Sequence, residues 1–334
     1  MRGLERDDGS WTEDSVGGVS ATTTSRRTSE GLTHEVPLRN VAMKILPIFG
    51  AAVALTLASQ AHALNEVVSY GINNFGSSGA AYCGGSTLSS HSVHTSTAAA
   101  FRAPFSALKV VGSWDDVDAV TGTSVTSGLL SDASKVASGA DQTNHSGADD
   151  ADVFYIHTHG SHTSSGASQY SSLVMGSSAS PVCTVRTDSH MLFGQSGNDS
   201  DIAVVKACQS ADYDVFVNGG YSQMQENGSQ QRMWNGFHGN SSCGAHVTAY
   251  VGVYALMSFS EGAGENWMDL AYDDDAGANN DDCPASIVFG DTRAKREALY
   301  EHGGFLDRKD TGNKSASTYW YFQGCDPSGG IVLP

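Results

Sequence analysis

The stretch ADVFYIHTHGSH, residues 151–162, decides the fold class because it joins an apolar run directly to a histidine-rich polar segment. Val153 to Ile156 contains only β-branched and aromatic residues, which is typical of a strand that is covered on both faces. A second run of this kind, IAVVKA at residues 202–207, leads into Cys208. The two runs predict neighbouring strands in an α/β domain with a central, mostly parallel sheet flanked by helices. In such a sheet the active crevice lies at the carboxyl ends of the strands.

Each of the two predicted strands ends in a group that can take part in nucleophilic catalysis. His159-Gly160 follows the first strand, and Cys208 follows the second. A thiolate can attack a carbonyl carbon while an imidazole transfers the proton, so Cys208 is the candidate nucleophile and His159 the candidate acid/base. A free thiol has a pKa of about 8.5, and a neighbouring imidazolium lowers that pKa. The backbone amides of Gly160 and Cys208 are the candidate oxyanion donors.

The blocks VFYIHTHGS (153–161) and IAVVKACQS (202–210) resemble the caspase, legumain and gingipain group of cysteine peptidases, clan CD. In that group the catalytic histidine precedes a glycine and the nucleophilic cysteine follows an alanine. The resemblance implies a caspase-like three-layer sandwich and hydrolysis of a peptide or protein substrate. It carries over to His159, Gly160, Ala207 and Cys208 alone, and no residue matches a known specificity pocket, so the P1 preference stays open.

Two further blocks, RMWNGFHG (232–239) and GENWMDLAY (264–272), are similar to an uncharacterised family of bacterial proteins with a domain of unknown function. That family has its own His-Gly, Cys and Trp…His-Gly blocks, and the likeness implies no activity. His238, with Trp234 before it, is therefore an alternative base for Cys208 or a residue that lines its pocket. His159 is preferred because an apolar strand leads directly into it.

The histidine-rich segment also supports a zinc-dependent hydrolase as an alternative. His157, His159 and His162 resemble the H-x-H-x-D-H block of the metallo-β-lactamase fold, in which histidines converge on a metal. Ser161 stands where that block has an aspartate, so a second metal would lack a ligand. A further histidine could complete the site, and the candidates are His190, His238 and His246.

A calcium site is the other possible cofactor site, whereas the thiol mechanism itself needs no cofactor. The acidic run between Asp273 and Asp282 offers carboxylates, but it lacks the glutamate that an EF-hand loop has at its twelfth position. A solvated loop is the plainer interpretation of such a run.

The region before residue 64 predicts export. MKILPIFGAAVALTLASQAHA, residues 43–63, has a basic start, a short apolar core and a small-x-small end, as secretory signal peptides do. Residues 1–42 are expected to be a disordered extension or to result from a misassigned start, and residues 64–334 to form a single secreted or periplasmic domain. The apolar core is too short for a membrane anchor, so no membrane is expected as a partner after cleavage.

Charge and cysteine content restrict the partners and the architecture further. The net charge is −18, which disfavours nucleic acid and anionic lipid as partners. The six cysteines predict up to three disulfides in an oxidising compartment, or at most two if one thiol stays reduced for catalysis. A non-catalytic, disulfide-braced binding module is thus a second alternative. The oligomeric state is not determined by these features.

The rest of the chain predicts further elements around this core. We expect a strand within residues 64–82, a helix over 97–111 and an irregular surface loop over 114–147. Residues 246–259 read as a buried helix or strand, and 264–272 and 291–300 as helices, the last beginning at Asp291.

Overall fold

The computed structural model describes residues 2–7, 10–14, 65–75, 88–110, 114, 116–163, 169–179, 182–194, 200–225, 229–273, 283–306 and 316–322. The described residues between 2 and 14 and those from 65 onward belong to one compact unit. The predicted signal peptide at 43–63 lies outside the described residues, and so does the acidic run from residue 274 to 282.

Twelve strands belong to the described part of the chain. They are β1 (Arg2–Asp7), β2 (Ser10–Asp14), β3 (Glu66–Gly71), β4 (Asp116–Thr121), β5 (Val153–His157), β6 (Gly160–Thr163), β7 (Tyr170–Ala179), β8 (Val182–Arg186), β9 (Ile202–Lys206), β10 (Met233–Phe237), β11 (Pro284–Gly290) and β12 (Ala316–Tyr321). The main sheet has the order β2-β1-β12-β11-β10-β9-β5-β3-β4, and β6, β7 and β8 form a separate antiparallel sheet.

The main sheet has a parallel half and an antiparallel half. Strands β4, β3, β5, β9 and β10 are parallel to one another. Strands β11, β12, β1 and β2 continue the sheet in antiparallel pairs. The predicted α/β class with a mostly parallel central sheet is therefore confirmed, and this sheet is compatible with a caspase-like fold.

Five α-helices accompany the sheet in the described residues. They are α1 (Val93–Lys109), α2 (Tyr213–Val217), α3 (Val247–Met257), α4 (Ala263–Ala271) and α5 (Arg293–His302). Helix α1 begins four residues before the predicted start at Thr97. Helix α5 is capped by Thr292, whose hydroxyl accepts a hydrogen bond from the Lys295 amide, rather than by Asp291. No helix in the described ranges is both long and apolar enough to cross a bilayer.

The two faces of the main sheet bury separate cores because side chains alternate along each strand. In β5, Val153 and Tyr155 belong to the core under α1, α3 and α4, while Phe154 and Ile156 belong to the core on the opposite face. Strands β6–β8 and helix α2 lie over that opposite face, where Leu173 and Val215 are buried. Since His157 follows the same alternation, its side chain is on the α1 face.

The structure differs from the sequence prediction at two places near the sheet edges. Residues 116–121, expected to be part of a surface loop, form edge strand β4, whose half-polar sequence DVDAVT suits a strand with solvent on one side. Residues 2–7 and 10–14, expected to be disordered, form β1 and β2. Strand β1 pairs with the edge of β12, which offers unpaired N–H and C=O groups to any extended segment.

Candidate functional site

The two predicted catalytic residues, His159 and Cys208, follow the carboxyl ends of the neighbouring strands β5 and β9. The strands pair in parallel from Val153–Ile202 to His157–Lys206, so both chains leave the sheet at the same edge. Gly160 then packs against the chain that leaves β9. A Cβ atom added to Gly160 would overlap the Cys208 carbonyl oxygen and would lie 2.9 Å from the Cβ atom of Ala207. Only glycine allows this close approach of the two backbones.

The imidazole of His159 is held by a backbone carbonyl. Its Nε2 atom lies 3.0 Å from the Ser89 carbonyl oxygen. A carbonyl can only accept, so Nε2 carries the hydrogen and Nδ1 keeps the lone pair of the neutral ring. The ring also contacts Phe75, with centroids 5.0 Å apart, and His91, with centroids 5.5 Å apart. His159 is partly exposed, which leaves it open to a substrate.

Cys208 is a partly buried thiol at the start of a strained turn. Its Sγ atom accepts a hydrogen bond from the Ser241 amide at 3.4 Å. The next residue, Gln209, has a φ of 55°, which is uncommon for a residue with a side chain. The Gln209 amide donates to the Gly239 carbonyl oxygen at 2.7 Å, and the Gln209 carbonyl accepts from the Ser171 hydroxyl at 2.6 Å. These bonds hold the turn, and strain of this kind concentrates at functional sites.

The structure places the two alternative pocket residues inside the protein. His238 is 2% exposed, and its Nδ1 atom accepts a hydrogen bond from the Tyr213 amide at 3.0 Å. Trp234 is fully buried, and its indole N–H donates to the Ser210 carbonyl at 2.8 Å. Trp234 therefore supports the segment that follows Cys208, while the lone pair of His238 is already used by a backbone amide.

The three histidines of the HTHGSH segment do not converge on one point. The side chain of His157 lies under α1, and that of His159 lies beside Ser89. His162 is a residue of β6, and its Nδ1 atom lies 3.7 Å from a carboxylate oxygen of Asp212. The other carboxylate oxygen of Asp212 caps α2. This separation removes the geometric basis for a zinc site made of these three side chains.

His157 instead belongs to a group of three metal-binding side chains that no sequence pattern indicated. His94 of α1, His157 of β5 and Cys243 of the loop after β10 bring one ligand atom each to within 4.8 Å of the others. The Cys243 Sγ atom lies 3.5 Å from Nε2 of His94 and 4.0 Å from Nε2 of His157. The two imidazole rings lie 4.0 Å apart between centroids. Cys243, like Cys208, is a thiol rather than half of a disulfide.

Burial keeps both of these imidazoles neutral. Burial lowers the pKa of His94 to about 4 and lowers the pKa of His157 well below its ordinary value. The buried ammonium of Lys206, which is paired with His157 across the ladder, lowers both pKa values further. Lys206 donates to the Ser241 hydroxyl at 2.9 Å and lies over the Phe237 ring, 4.6 Å from its centroid.

An open pocket of about 350 Å³ borders this group. It is lined by the residues before and at the start of α1 and by residues of the facing segment: Ser90, His91, Ser92, Val93, Ser96, Cys243, Ala245 and Thr248. The glycine at the end of β3 makes this arrangement possible, because a Cβ atom on Gly71 would lie 2.7 Å from the His94 carbonyl oxygen. The sulfur of Cys243 thus faces imidazole nitrogens on one side and a pocket on the other.

The cysteines do not form the three disulfides that an even count allows. Cys183 and Cys283 each take part in a disulfide, while Cys208 and Cys243 are thiols. Cys83 and Cys325 lie outside the described residues. Two thiols at one sheet edge leave at most two bridges for the chain.

The two remaining histidines named as zinc candidates lie apart from this group of three. His190 accepts a hydrogen bond from the Arg186 amide at 3.1 Å in the turn after β8. His246 precedes α3, and its Nε2 atom lies 3.0 Å from the Ser242 hydroxyl. Neither residue belongs to the groups of potential metal ligands found among the described residues.

Comparisons with protein-family models, with curated proteins and with solved structures return no match for this chain. The arguments for a function therefore come from the geometry of the sheet edge.

Proposed function

We propose that this protein is a secreted, cysteine-peptidase-like hydrolase in which Cys208 is the nucleophile and His159 the acid/base. The observation that carries the proposal is the register of β5 and β9, which sends both residues out of the sheet at one edge. The contact between Gly160 and the Cys208 carbonyl brings the two segments together beyond the strand ends. A peptide or protein is the substrate class that this chemistry serves.

The orientation of His159 suits the transfer of one proton in both directions. With Nε2–H donated to Ser89, Nδ1 accepts the thiol proton of Cys208 as the sulfur attacks the scissile carbonyl carbon. The C–N bond then breaks, and the same proton goes to the leaving amine. Water, deprotonated by Nδ1, hydrolyses the thioester and regenerates the thiol. The Ser89 carbonyl is the third group that orients the base.

Two backbone amides are placed to stabilise the negative charge on the carbonyl oxygen. Gly160 faces Leu173 in β7, and the Val174 amide donates to the His159 carbonyl. In this pattern Gly160 and Leu173 are a non-hydrogen-bonded pair, so the Gly160 N–H points away from β7. Together with the Cys208 amide it can serve as an oxyanion donor, and one such donor contributes about 2.7–4 kcal/mol.

Peptide hydrolysis tests the proposal directly. The probe is a set of fluorogenic peptide amides that differ at P1, assayed with wild type, Cys208→Ala, His159→Asn and His302→Asn. His302 is 78% exposed at the end of α5 and serves as the matched histidine control. We expect Cys208→Ala to lower the rate roughly a thousand-fold or more, since nucleophile removal has effects of that size. Full activity in Cys208→Ala would contradict the proposal.

Alkylation gives a second readout that needs no substrate. We expect iodoacetamide to label Cys208 with a pH midpoint below about 7.5 in the wild type, because an imidazolium stabilises the thiolate. His159→Asn should move that midpoint towards about 8.5, the value of an unassisted thiol. A midpoint that is identical in the two proteins would show that His159 does not act on Cys208. A protein in which Cys208 is a stable disulfide would instead favour the non-catalytic binding module.

A further inference from the structure

We propose that His94, His157 and Cys243 bind one zinc ion, with a fourth coordination position that opens into the neighbouring pocket. This site is separate from the proposed Cys208–His159 pair and uses none of its side chains. It also differs from the zinc site predicted from the HTHGSH segment, with which it shares only His157.

Hydrogen bonds at the back of the two rings fix which nitrogen atoms are available. The Nδ1 atom of His94 lies 2.7 Å from the Ile72 carbonyl oxygen, so Nδ1 carries the hydrogen and Nε2 keeps its lone pair. The Thr97 hydroxyl donates to the His94 carbonyl oxygen at 3.0 Å, which uses its only hydrogen. The 2.6 Å contact between Thr97 Oγ1 and His157 Nδ1 is therefore a bond donated by His157. Both Nε2 lone pairs consequently face Cys243.

This pattern of hydrogen bonds is the one found behind metal-bound histidines. A ligating imidazole usually donates its other N–H to a carbonyl, carboxylate or similar acceptor, which fixes the tautomer and the ring orientation. Ile72 provides such an acceptor for His94, and Thr97 provides one for His157. Both rings are fully buried, and the form of an imidazole that binds a metal is the neutral one.

The distances between the ligand atoms suit tetrahedral zinc. With Zn–N bonds of about 2.05 Å and a Zn–S bond of about 2.3 Å, a tetrahedral ion holds sulfur and nitrogen about 3.6 Å apart. The corresponding distances here are 3.5 Å from Cys243 to His94 and 4.0 Å from Cys243 to His157. A movement of a few tenths of an ångström brings the separation of Cys243 and His157 to the tetrahedral value.

A thiol without a metal satisfies this arrangement less well. The Cys243 thiol has one hydrogen, which can bond to only one of the two Nε2 lone pairs that face it. A cation bound to a thiolate satisfies both. The negative charge of that thiolate offsets part of the charge of the ion.

The chemistry of the ligands selects the metal. Two imidazoles and one thiolate suit zinc, whereas magnesium and calcium prefer oxygen ligands. Three protein ligands with one open position are typical of zinc sites that bind water or substrate, while purely structural sites are closed by four. The pocket beside Cys243 supplies the space for that fourth ligand.

Metal binding to the purified full-length protein tests this site without reference to any activity. After treatment with a chelator and its removal, zinc is added and counted by elemental analysis, and cobalt(II) is added to a parallel sample. We expect one zinc per chain and a sulfur-to-cobalt charge-transfer band in the near ultraviolet. A wild-type protein that binds no zinc and shows no such band would overturn the proposal.

Variants identify the ligands. Cys243→Ser and His157→Asn should weaken zinc binding at least 100-fold and abolish the charge-transfer band. Cys208→Ser removes the neighbouring thiol and should leave both the zinc content and the band unchanged, so failure of this site and failure of the proposed hydrolase are distinguishable. Equal zinc affinity in Cys243→Ser and wild type would overturn the proposal.

Alkylation provides a check that does not depend on the folding of any variant. In the wild type, bound zinc should slow iodoacetamide labelling of Cys243 at least tenfold while the labelling of Cys208 stays the same. Peptide mapping by mass spectrometry separates the two cysteines. Labelling of Cys243 at the same rate with and without zinc would count against the site.

Discussion

Two thiol–imidazole groups lie at the same edge of the sheet and use the same residue types, but they differ in burial. His94 and His157 are fully buried, and every nitrogen of theirs has a fixed role. His159 and Cys208 are partly exposed. A buried imidazole with a low pKa suits a metal, whereas an imidazole that substrate can reach suits proton transfer. The environment, rather than the residue type, thus separates a candidate metal site from a candidate catalytic pair.

The two groups are adjacent, so variants at single residues are needed to tell their roles apart. The carbonyl oxygen of Ser241 lies 4.0 Å from the Cys208 sulfur and 3.9 Å from the Cys243 sulfur. The His94 and His159 rings lie 5.6 Å apart between centroids. A metal bound to Cys243 would therefore restrain the loop that also contacts Cys208.

Acid should destabilise the metal-free protein, and this is the largest of the effects that distinguish the two groups. The folded pKa of His94 is about 4, below the ordinary 6.5 of the unfolded chain. The unfolded state therefore binds more protons as the pH falls below 6.5. By pH 4 this residue lowers the free energy of unfolding by about 3 kcal/mol relative to pH 7. Denaturant unfolding of chelated protein at pH 7 and pH 4 measures the loss.

His94→Gln should reduce this pH dependence by a similar amount, because the group that titrates is gone. His302→Asn, which changes an exposed histidine, should leave the difference between the two pH values as it is in the wild type. An unchanged pH dependence in His94→Gln would show that the low pKa of this imidazole is not linked to folding.

Gly160→Ala should disrupt the outer group, His159 and Cys208, and leave the inner group, His94, His157 and Cys243, largely intact. The new methyl group would overlap the Cys208 carbonyl, so one of the two backbones must move. A misplacement of about 1 Å costs roughly 100-fold in rate, and we expect a loss of that size in peptide hydrolysis. Fluorogenic peptide assays measure it, and zinc content reports on the inner group.

Gly252→Ala is the matched control for this substitution. Its Cβ atom would meet Ala100 at 3.6 Å, an ordinary van der Waals distance, inside helix α3. Alanine should stabilise the helix by about 0.5–1 kcal/mol and leave hydrolysis unchanged. If Gly160→Ala behaved like Gly252→Ala in both assays, the contact between the two strand ends would have no role in the reaction.

Thr97→Val tests the support of the inner group and should have the smallest effect. Valine has nearly the same shape but cannot accept the hydrogen bond from His157. Loss of such a supporting bond weakens metal binding by roughly 10–100-fold. Thr95→Val is the control, since the Thr95 hydroxyl bonds only the Ser92 carbonyl at the helix start. Zinc titration that gives equal affinities for the two variants would contradict the assigned tautomer of His157.

Several parts of the fold were predictable because they depend on local patterns. The apolar runs at 153–156 and 202–207 are strands β5 and β9, and they are parallel neighbours as expected. The helix after residue 246 is the buried element that its apolar sequence predicts. Continuous apolar runs of strand length identify buried strands because both faces must be covered.

The inner group was missed because its members are distant in sequence and each has an ordinary local context. His94 lies in a serine- and threonine-rich turn, and the predicted helix began only at Thr97. Cys243 read as half of a disulfide. One signal was available: the alternation in β5 places His157 on the face of Val153 and Tyr155, away from a loop. That pattern indicates a buried histidine in need of partners but does not name them.

The sequence by itself determined the class of fold and the order in which His159 and Cys208 follow their strands, because local composition indicates which segments are buried and how long each strand is. Only the tertiary structure decided which side chains meet, since 149 residues separate His94 from Cys243. Contacts over such separations depend on strand order and helix placement, which result from packing of the whole chain rather than from any one segment.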